Sequence, residues 1–328
     1  MIGFCLVGAG RIGAIHAANI ASLPQARLLC VVDAIAAPAA ALAQQYEARH
    51  CELDQALADP AVDAVLIASS TDTHVDFIVA AAAAGKAIFC EKPIDLDLPR
   101  VRACIAEVER AGTVLALGFN RRFDPGFSAL YERLRRGDIG TPEIVSITSR
   151  DPQPPPLDYL RRSGGLFMDM MIHDLDMARW LLLEEPCEIY ATGSCLVDAA
   201  IGEAGDIDTA TVILKTASGR LCQISNSRRT SYGYDQRLEV HGSQGMLRAE
   251  NVTATRLQHY AAGGVVTDPP LHFFLQRYAD AYRLELLDFI EAVSQQRPPA
   301  VTGEDGLRAQ ELATAALESL QQGRPLRL

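Results

Sequence analysis

An aspartate and a histidine in the segment Met168 to Asp176 have a spacing that suits acid-base chemistry. Asp169 and His173 are four residues apart, so on a helix the two side chains share one face. An imidazole, whose pKa in water is about 6.5, can take the proton of a hydroxyl group near neutral pH. A carboxylate one turn away can orient the ring and stabilise its charged form. The pair is a candidate catalytic unit, and the alternatives are a helix-surface pair or half of a metal site.

The metal alternative is the less favoured one. Catalytic zinc sites combine three protein ligands at recognisable spacings. The sequence has neither a third ligand at such a spacing nor an HExxH pattern. We therefore expect no metal here.

A lysine follows a short apolar segment that is typical of a strand. The segment is Ala87 to Cys90, and Glu91-Lys92-Pro93 comes next. In an open parallel sheet, the residues after each strand gather at the edge where ligands bind. A charged Lys92 at that edge can donate a hydrogen bond to a substrate oxygen and stabilise a developing alkoxide. The alternative is a solvated surface lysine.

The elements that must position these groups alternate between short apolar runs and Ala-rich amphipathic stretches over residues 1–120. Predicted strands are Ile2 to Val7, Leu28 to Asp33, Ala64 to Ala68, Ala87 to Cys90 and Val114 to Gly118, and predicted helices begin near Arg11, Ala36, Thr73 and Leu98. This alternation is typical of an α/β domain with a parallel sheet and helices on both faces.

The first predicted strand is followed by a glycine-rich turn, Gly8-Ala9-Gly10-Arg11-Ile12-Gly13. A GxGxxG turn between a strand and a helix is the dinucleotide-binding fingerprint of the Rossmann fold. Asp33 ends the second strand, where an acidic residue accepts hydrogen bonds from the adenosine ribose. The residues after Asp33 include no arginine that could hold a 2'-phosphate, so we expect NAD rather than NADP. The alternative is a turn with structural glycines and a surface aspartate.

The other cofactor-binding candidates follow strands at the same edge or lie near it. The full set that we expect to bind the cofactor is Gly8, Gly10, Arg11, Ile12, Gly13, Asp33, Ser69, Ser70, His74, Glu91 and Asn120.

From about residue 140 the sequence becomes richer in strands. Predicted strands are Glu143 to Ser149, Glu188 to Leu196, Ala210 to Thr216, Arg220 to Ser225 and Arg237 to His241. A helix is predicted from about Gly165 to Leu183, a loop at Pro152 to Pro156 and an amphipathic helix from Phe274 to Val293. We expect two domains: residues 1–120, and an α+β domain with a large, mostly antiparallel open sheet over residues 121–328, whose last helices can pack on the first domain.

Composition excludes several classes of protein. The formal net charge of −11 disfavours nucleic acid as a partner, because nucleic-acid binding needs clustered Lys and Arg. The sequence shows no signal peptide and no apolar run long enough for a membrane helix. Its eight cysteines are scattered without CxxC spacing, which is typical of reduced thiols in the cytoplasm.

Taken together, the segments resemble the glucose-fructose oxidoreductase, inositol dehydrogenase and MocA family. The matching pieces are Gly8 to Gly13 with His16, Glu91-Lys92-Pro93, Gly118 to Asp124, Gly137 to Gly140, and Asp169 to Asp176 with Trp180. The resemblance spans most of the chain. It implies a Rossmann domain followed by a β-rich domain whose open sheet is buried in a homodimer or homotetramer.

Within this family the chain is most similar to bacterial inositol 2-dehydrogenases. The supporting residues are Arg150-Asp151-Pro152, Tyr232 to Asp235, Gln276 to Tyr278 and Ala281-Tyr282. The resemblance implies NAD-dependent oxidation of a ring hydroxyl of a polyol such as myo-inositol, with Lys92, Asp169 and His173 as the catalytic trio. It also implies substrate contacts for Arg122, Asp151 and Tyr234, with Asp235 as a further candidate.

Three alternatives stay open at this point. The family pattern often has Asn where this chain has Asp151, and an acceptor-only carboxylate changes which hydroxyl pattern is preferred. The substrate can therefore be another sugar or sugar derivative. Tyr234 can instead be a core aromatic, and Asp151 can cap a loop. A non-catalytic sensor of sugars or dinucleotides is the alternative from another class, and the joint presence of Lys92, Asp169 and His173 disfavours it.

Overall fold

A computed structural model describes all 328 residues of the chain. The chain divides into two compact units. The first comprises Met1–Phe123 and Ala281–Arg308, and the second comprises Asp124–Asp280 and Ala309–Leu328. No helix in either unit has the length and apolar character that crossing a membrane requires.

The bounds of the regular elements are as follows. The strands are β1 (Ile2–Val7), β2 (Ala26–Val32), β3 (Arg49–His50), β4 (Ala64–Ile67), β5 (Ala87–Cys90), β6 (Leu115–Leu117), β7 (Pro142–Arg150), β8 (Pro186–Ser194), β9 (Thr209–Thr216), β10 (Leu221–Ser227), β11 (Asp235–Gly242), β12 (Gly245–Ala249), β13 (Gln258–Ala261), β14 (Gly264–Thr267) and β15 (Leu326–Arg327). The α-helices are α1 (Arg11–Ser22), α2 (Ala36–Gln45), α3 (Leu53–Ala58), α4 (His74–Ala83), α5 (Leu98–Ala111), α6 (Pro125–Arg135), α7 (Leu157–Leu160), α8 (Ile172–Leu182), α9 (Ala199–Glu203), α10 (Phe274–Arg277), α11 (Ala279–Gln295) and α12 (Gly303–Gln322).

The sheet of the first unit has the order β3-β2-β1-β4-β5-β6, and all of its pairings are parallel. This is the strand order of the Rossmann fold, whose ligands bind beyond the carboxyl ends of the strands where the order reverses. Here the order reverses between β1 and β4. The glycine turn follows β1, so it lies at the position where a dinucleotide binds, and the expected Rossmann fold is confirmed.

Helix α11 belongs to the core of the first unit although it comes late in the chain. Leu286, Phe289 and Ile290 pack among the apolar residues of the parallel strands. The Phe289 ring lies 6.0 Å from that of Phe4 and 5.8 Å from that of Phe89, centroid to centroid. The amphipathic spacing in the sequence is therefore explained by burial against the parallel sheet.

The expected single helix from Phe274 to Val293 is two helices, so this prediction is wrong in that detail. Helix α10 ends at Arg277, and Tyr278 has non-helical dihedrals (φ −112°, ψ 19°) before α11 begins. Tyr278 is buried in the second unit, with its ring edge-on to Tyr234 at 5.9 Å. The break separates residues that pack in one unit from residues that pack in the other.

The sheet of the second unit has the order β12-β11-β7-β10-β9-β8-β15. Strands β7 and β10 are parallel, and the other pairings are antiparallel. The expectation of a mostly antiparallel open sheet is confirmed. A separate two-stranded sheet, β13 with β14, was not anticipated.

The helix expected from Gly165 to Leu183 contains a π-helical turn near its start. The turn is Phe167–Met171, and α8 continues from Ile172 to Leu182. Leu183 ends the helix in the left-handed conformation, with φ +54°. Isolated π turns inside helices are frequent at functional sites, and Asp169 lies in this one.

Candidate active site

The glycine turn is shaped for close approach of a phosphate. Gly8 has φ +101°, and a Cβ there would lie 2.6 Å from the carbonyl carbon of Ala68. A Cβ on Gly13 would lie 1.9 Å from the Gly8 carbonyl oxygen, so this glycine lets α1 pack against the turn. A Cβ on Gly10 would meet no atom within 4 Å. The space in front of Gly10 is therefore open to a ligand, as the dinucleotide fingerprint requires.

The N-terminus of helix α1 lies at this turn. Helix α1 begins at Arg11, Gly10 provides no side-chain cap, and the first turn contains no acidic residue. The N–H groups of the first turn of a helix and the positive end of the helix dipole favour an anion there. Together with the glycines, this arrangement fits a pyrophosphate group.

Asp33 is fixed by the backbone that surrounds it. Its Oδ2 accepts from the Ala9 N–H at 2.7 Å, and its Oδ1 accepts from the Ile35 N–H at 2.8 Å. Each carboxylate oxygen can accept a further hydrogen bond. The geometry suits a carboxylate that receives ribose hydroxyls beside the glycine turn.

The other cofactor candidates differ in exposure. Ser70 is exposed and Ser69 is half-buried, whereas Asn120 is 3% exposed. His74 is 1% exposed, and its Nδ1 and Nε2 lie 2.8 Å from the Pro93 carbonyl oxygen and 3.1 Å from that of Ser69. Burial lowers the pKa of His74, although the two carbonyl oxygens oppose the shift. Each ring nitrogen thus lies beside a backbone carbonyl oxygen, and a direct cofactor contact of His74 stays a prediction.

The segment that carries Lys92 is held on both sides. Before it, Glu91 Oε1 lies 2.7 Å from His16 Nε2. After it, the Pro93 carbonyl oxygen lies 2.8 Å from Nδ1 of the buried His74. Lys92 itself is half-buried. The backbone of this segment is therefore well fixed, which suits a residue that must hold a substrate atom in place.

Asp169 is oriented by two residues that the sequence did not indicate. Its Oδ1 accepts from the Tyr159 hydroxyl at 2.8 Å, and its Oδ2 accepts from Nη1 of Arg228 at 3.1 Å. The Arg228 side chain is 1% exposed and that of Asp169 is 13% exposed. A buried guanidinium stabilises the charged form of a neighbouring carboxylate. The orientation of the Asp169 carboxylate is therefore fixed in the turn that precedes His173.

The helix that carries His173 is anchored to the sheet by its next residue. Asp174 is fully buried; its Oδ1 accepts from the Ser149 hydroxyl at 3.0 Å and its Oδ2 from the Asn226 amide at 2.9 Å. These partners belong to β7 and β10. His173 is half-buried, so α8 presents an accessible imidazole from a rigid support. Asp169 and His173 belong to the second unit and Lys92 to the first.

The substrate candidates lie in different surroundings. Asp151 follows β7 and is half-buried. Tyr234 is only 6% exposed. Arg122 forms an ion pair with Asp305 at 2.9 Å. For these three residues, contact with substrate stays a prediction.

Asp235 does not have the surroundings of a substrate-binding residue. It is fully buried, and its carboxylate accepts from Tyr232, Arg237 and Asn251 at 2.7 Å each. No surface is left for a substrate hydroxyl, so the expectation of a substrate contact at Asp235 is wrong.

Comparison with known families decides the wider assignment. Residues 2–119 match the model of the oxidoreductase family with an NAD-binding Rossmann fold. Residues 127–248 match the GFO/IDH/MocA C-terminal domain. The chain belongs to the GFO/IDH/MocA family. Both the expected family and the expected cofactor, NAD, are confirmed.

Several relatives in this family are similar over nearly the whole chain. Inositol 2-dehydrogenase of Rhizobium meliloti (strain 1021) is 52% identical over 326 residues, which covers 98% of each protein. Myo-inositol 2-dehydrogenase of Thermotoga maritima is 47% identical, over 98% of this chain and 97% of that protein. The crystal structure of scyllo-inositol dehydrogenase from Lactobacillus casei with bound NAD(H) and scyllo-inositol has a TM-score of 0.91 and 28% identity, and covers 100% of this chain and 99% of that one.

Proposed function

We propose that this GFO/IDH/MocA protein catalyses NAD-dependent oxidation of a ring hydroxyl of a cyclic polyol, with myo-inositol converted to 2-keto-myo-inositol (scyllo-inosose). The similarity to inositol 2-dehydrogenases along nearly the entire chain carries this proposal. The presence of Lys92, Asp169 and His173 supports catalysis rather than sensing.

The proposed roles follow from the chemistry of each side chain. His173 takes the proton of the reacting hydroxyl, and Asp169 orients the imidazole and stabilises its charged form. Lys92 donates a hydrogen bond to the same oxygen and stabilises the negative charge that develops there. NAD, when bound, accepts the hydride that leaves the carbon. Asp33 and the glycine turn hold the cofactor, and Asp151, Tyr234 and Arg122 are the proposed contacts for the other hydroxyls.

The experiment that tests this function is a substrate panel. Purified protein is incubated with NAD and, separately, myo-inositol, scyllo-inositol, chiro-inositol, glucose and xylose, and NADH is followed by absorbance. We expect the highest kcat/KM with an inositol. A higher kcat/KM with a sugar would favour a dehydrogenase for that sugar. Asp151 supports this alternative, because a carboxylate at this position changes which hydroxyl pattern is preferred. NAD binding without reduction on any member would favour a sensor.

We also propose that the protein is a homodimer or homotetramer that buries the outer face of its large sheet. On that face, Ile144 pairs with Leu221 and with His241, and His241 pairs with Met246. The three apolar members of this row are 40 to 49% exposed. In a parallel row, Tyr190 and Ile213 face each other and are 36% and 47% exposed. Several large apolar residues exposed on one sheet face favour a second copy of the same surface as its partner.

Light scattering with size-exclusion chromatography tests the assembly. The double variant Tyr190→Lys/Ile213→Lys should reduce the molar mass towards that of one chain, because charges cannot be buried in an apolar interface. Leu96→Lys, a matched change of an apolar residue that is 41% exposed in the first unit, should leave the mass unchanged. A monomeric parent protein would contradict the proposal.

A cytoplasmic location is the last part of the proposal. All eight cysteines are free thiols, and Cys5, Cys30, Cys90, Cys104 and Cys222 are buried. Free thiols suit a reducing compartment. Cell fractionation with an antibody tests this location, and recovery in an oxidising compartment would contradict it.

A further inference from the structure

Three titratable side chains from three elements meet in the interior of the first unit. His16 comes from α1, Glu91 follows β5 and Glu285 comes from α11. One nitrogen or oxygen atom of each lies within 4.8 Å of those of the other two. The reaction steps proposed above give His16 and Glu285 no task, so the cluster needs its own explanation.

Glu285 is the unusual member of this cluster. It is 1% exposed, and neither of its carboxyl oxygens has a hydrogen-bond partner. Among its neighbours one turn away on α11, Tyr282 and Phe289 are buried aromatic residues, and the one charged neighbour, Asp288, is paired with Arg297. An isolated charge in such surroundings is costly and is avoided by protonation. Burial, reinforced by the charge of Glu91, raises the pKa of Glu285 well above its usual range.

Glu91 is confined where it lies. Its Oε1 is 2.7 Å from His16 Nε2, and a Cβ on Gly118 would lie 2.8 Å from its Oε2. The His16 ring is held edge-on by Phe89 at 5.3 Å and by Tyr282 at 5.8 Å. The pair therefore links helix α1, which begins at the cofactor turn, to the residue immediately before Lys92.

We propose that Glu285 is a positioning residue for Lys92: as a neutral acid it supports the His16–Glu91 pair from α11 without bringing a second negative charge beside it. An ionised Glu285 would repel Glu91 and compete with it for His16. The titratable groups that face Glu285 are His16, Glu91 and Tyr282. The kinetic part of this inference rests on the proposed dehydrogenase function, and the stability part does not.

The stability part is tested by thermal unfolding of Glu285→Gln between pH 5 and pH 8. An unfolded chain releases the Glu285 proton near the usual value of 4.5, while the folded chain keeps it. Stability of the parent protein is thus lost as pH rises above that value, and an amide, which cannot ionise, removes the loss. We therefore compare the melting temperatures of Glu285→Gln and the parent at each pH. The melting temperature of the variant relative to the parent should increase by about 5 °C between pH 5 and pH 8.

Glu291→Gln is the matched control, because it makes the same change on the same helix at a side chain that is 49% exposed. The melting temperature of Glu291→Gln relative to the parent should not change with pH. If the melting temperature of Glu285→Gln relative to the parent stays constant or falls as pH rises, Glu285 is not neutral in the folded protein and the proposal is wrong. If EDTA lowers the melting temperature of the parent but not that of Glu285→Gln, the cluster binds a cation and Glu285 does not hold a proton. This result would also contradict the proposal.

The positioning part is tested by kcat and by NAD affinity. Glu285→Leu, which has no polar group, should lower kcat about tenfold, and Glu285→Gln should restore it to within about threefold of the parent. Equal activity of Glu285→Leu and the parent would overturn the positioning role. If the parent oxidises no polyol, the proposed function is wrong. The pH dependence of thermal unfolding still shows whether Glu285 is protonated in the folded protein. NAD affinity measured by calorimetry then tests whether Glu285 positions the segment Glu91-Lys92, because Glu91 is an expected cofactor contact. A loss of affinity in Glu285→Leu supports this positioning, and the affinity of the parent contradicts it.

Discussion

Nη1 of Arg228 lies 3.1 Å from Oδ2 of Asp169, and the arginine side chain is 1% exposed. The two residues are 59 positions apart in the chain. The carboxylate beside the proposed base is therefore held by a buried cation that enters from the end of a strand. This relationship fixes the orientation of the Asp169 carboxylate.

Arg228→Met should impair both activity and stability. The guanidinium is buried and the Asp169 side chain is 13% exposed, so losing this charged hydrogen bond should cost about 1 to 3 kcal/mol of unfolding free energy. Arg229→Met is the control, since Arg229 is adjacent and exposed. Equal effects of the two changes would contradict the role of Arg228.

The catalytic assignment predicts large losses of turnover with little loss of NAD binding. His173→Ala should lower kcat by about 100-fold to 10,000-fold, the usual contribution of a general base. Lys92→Ala should lower it by about 100-fold or more, because a donor to the developing oxyanion is lost. Steady-state kinetics with the best substrate of the panel measures both. Turnover within a few fold of the parent in either variant would show that its role is wrong.

The glycine turn predicts opposite effects for two similar substitutions. Gly10→Ala adds a methyl group to open space at a φ of −74°, which alanine tolerates, so the melting temperature should not fall. NAD affinity should fall about tenfold, because the methyl group occupies the approach of the pyrophosphate. Gly13→Ala places a Cβ 1.9 Å from the Gly8 carbonyl oxygen and should lower the melting temperature. Calorimetry and thermal unfolding separate the two, and unchanged NAD affinity of Gly10→Ala would contradict the cofactor position.

Cofactor preference should depend on Asp33. The double variant Asp33→Ser/Ala34→Arg removes the carboxylate that repels a 2'-phosphate and adds a cation that binds it. The ratio of kcat/KM for NAD to that for NADP should fall about tenfold or more, which corresponds to about 1.4 kcal/mol. Ala34→Arg alone is the control and should shift the ratio less. An unchanged ratio in the double variant would rule out Asp33 as the residue that reads the ribose.

Asp208 predicts a specific acid sensitivity. Burial opposes its ionisation, but the N–H groups of Leu196, Asp198 and Val197 outweigh this and lower the pKa to about 2, from 3.8. The carboxylate therefore contributes stability above pH 3.8 that is lost as pH falls towards 2. Asp208→Asn should be less stable than the parent at pH 6, and this difference should shrink below pH 4. Asp158→Asn, at a side chain that is 90% exposed, is the control. A difference independent of pH would contradict the assignment.

The sequence predicts what depends on short spacings. The glycine turn, Asp33, and the Asp169/His173 pair all follow local patterns, and strands β1 and β5 have the predicted bounds. Strands β13 and β14 were missed because every residue in them is exposed, so no apolar alternation marks them. The break at Tyr278 was missed because spacing continues across it. Arg228 and Glu285 were missed because Asp169, near Arg228, and His16 and Glu91, near Glu285, are distant from them in sequence. Only the fold brings these residues together.

The most direct test of the account uses myo-inositol that carries deuterium on the carbon of its axial hydroxyl. The protein is incubated with this substrate and NAD, and the reduced cofactor is analysed by mass spectrometry. The account predicts one deuterium per molecule of reduced cofactor and a slower rate than with unlabelled substrate when hydride transfer limits turnover. Reduced cofactor without deuterium would place the reaction at another carbon. No reduced cofactor at all would contradict the proposed activity on myo-inositol.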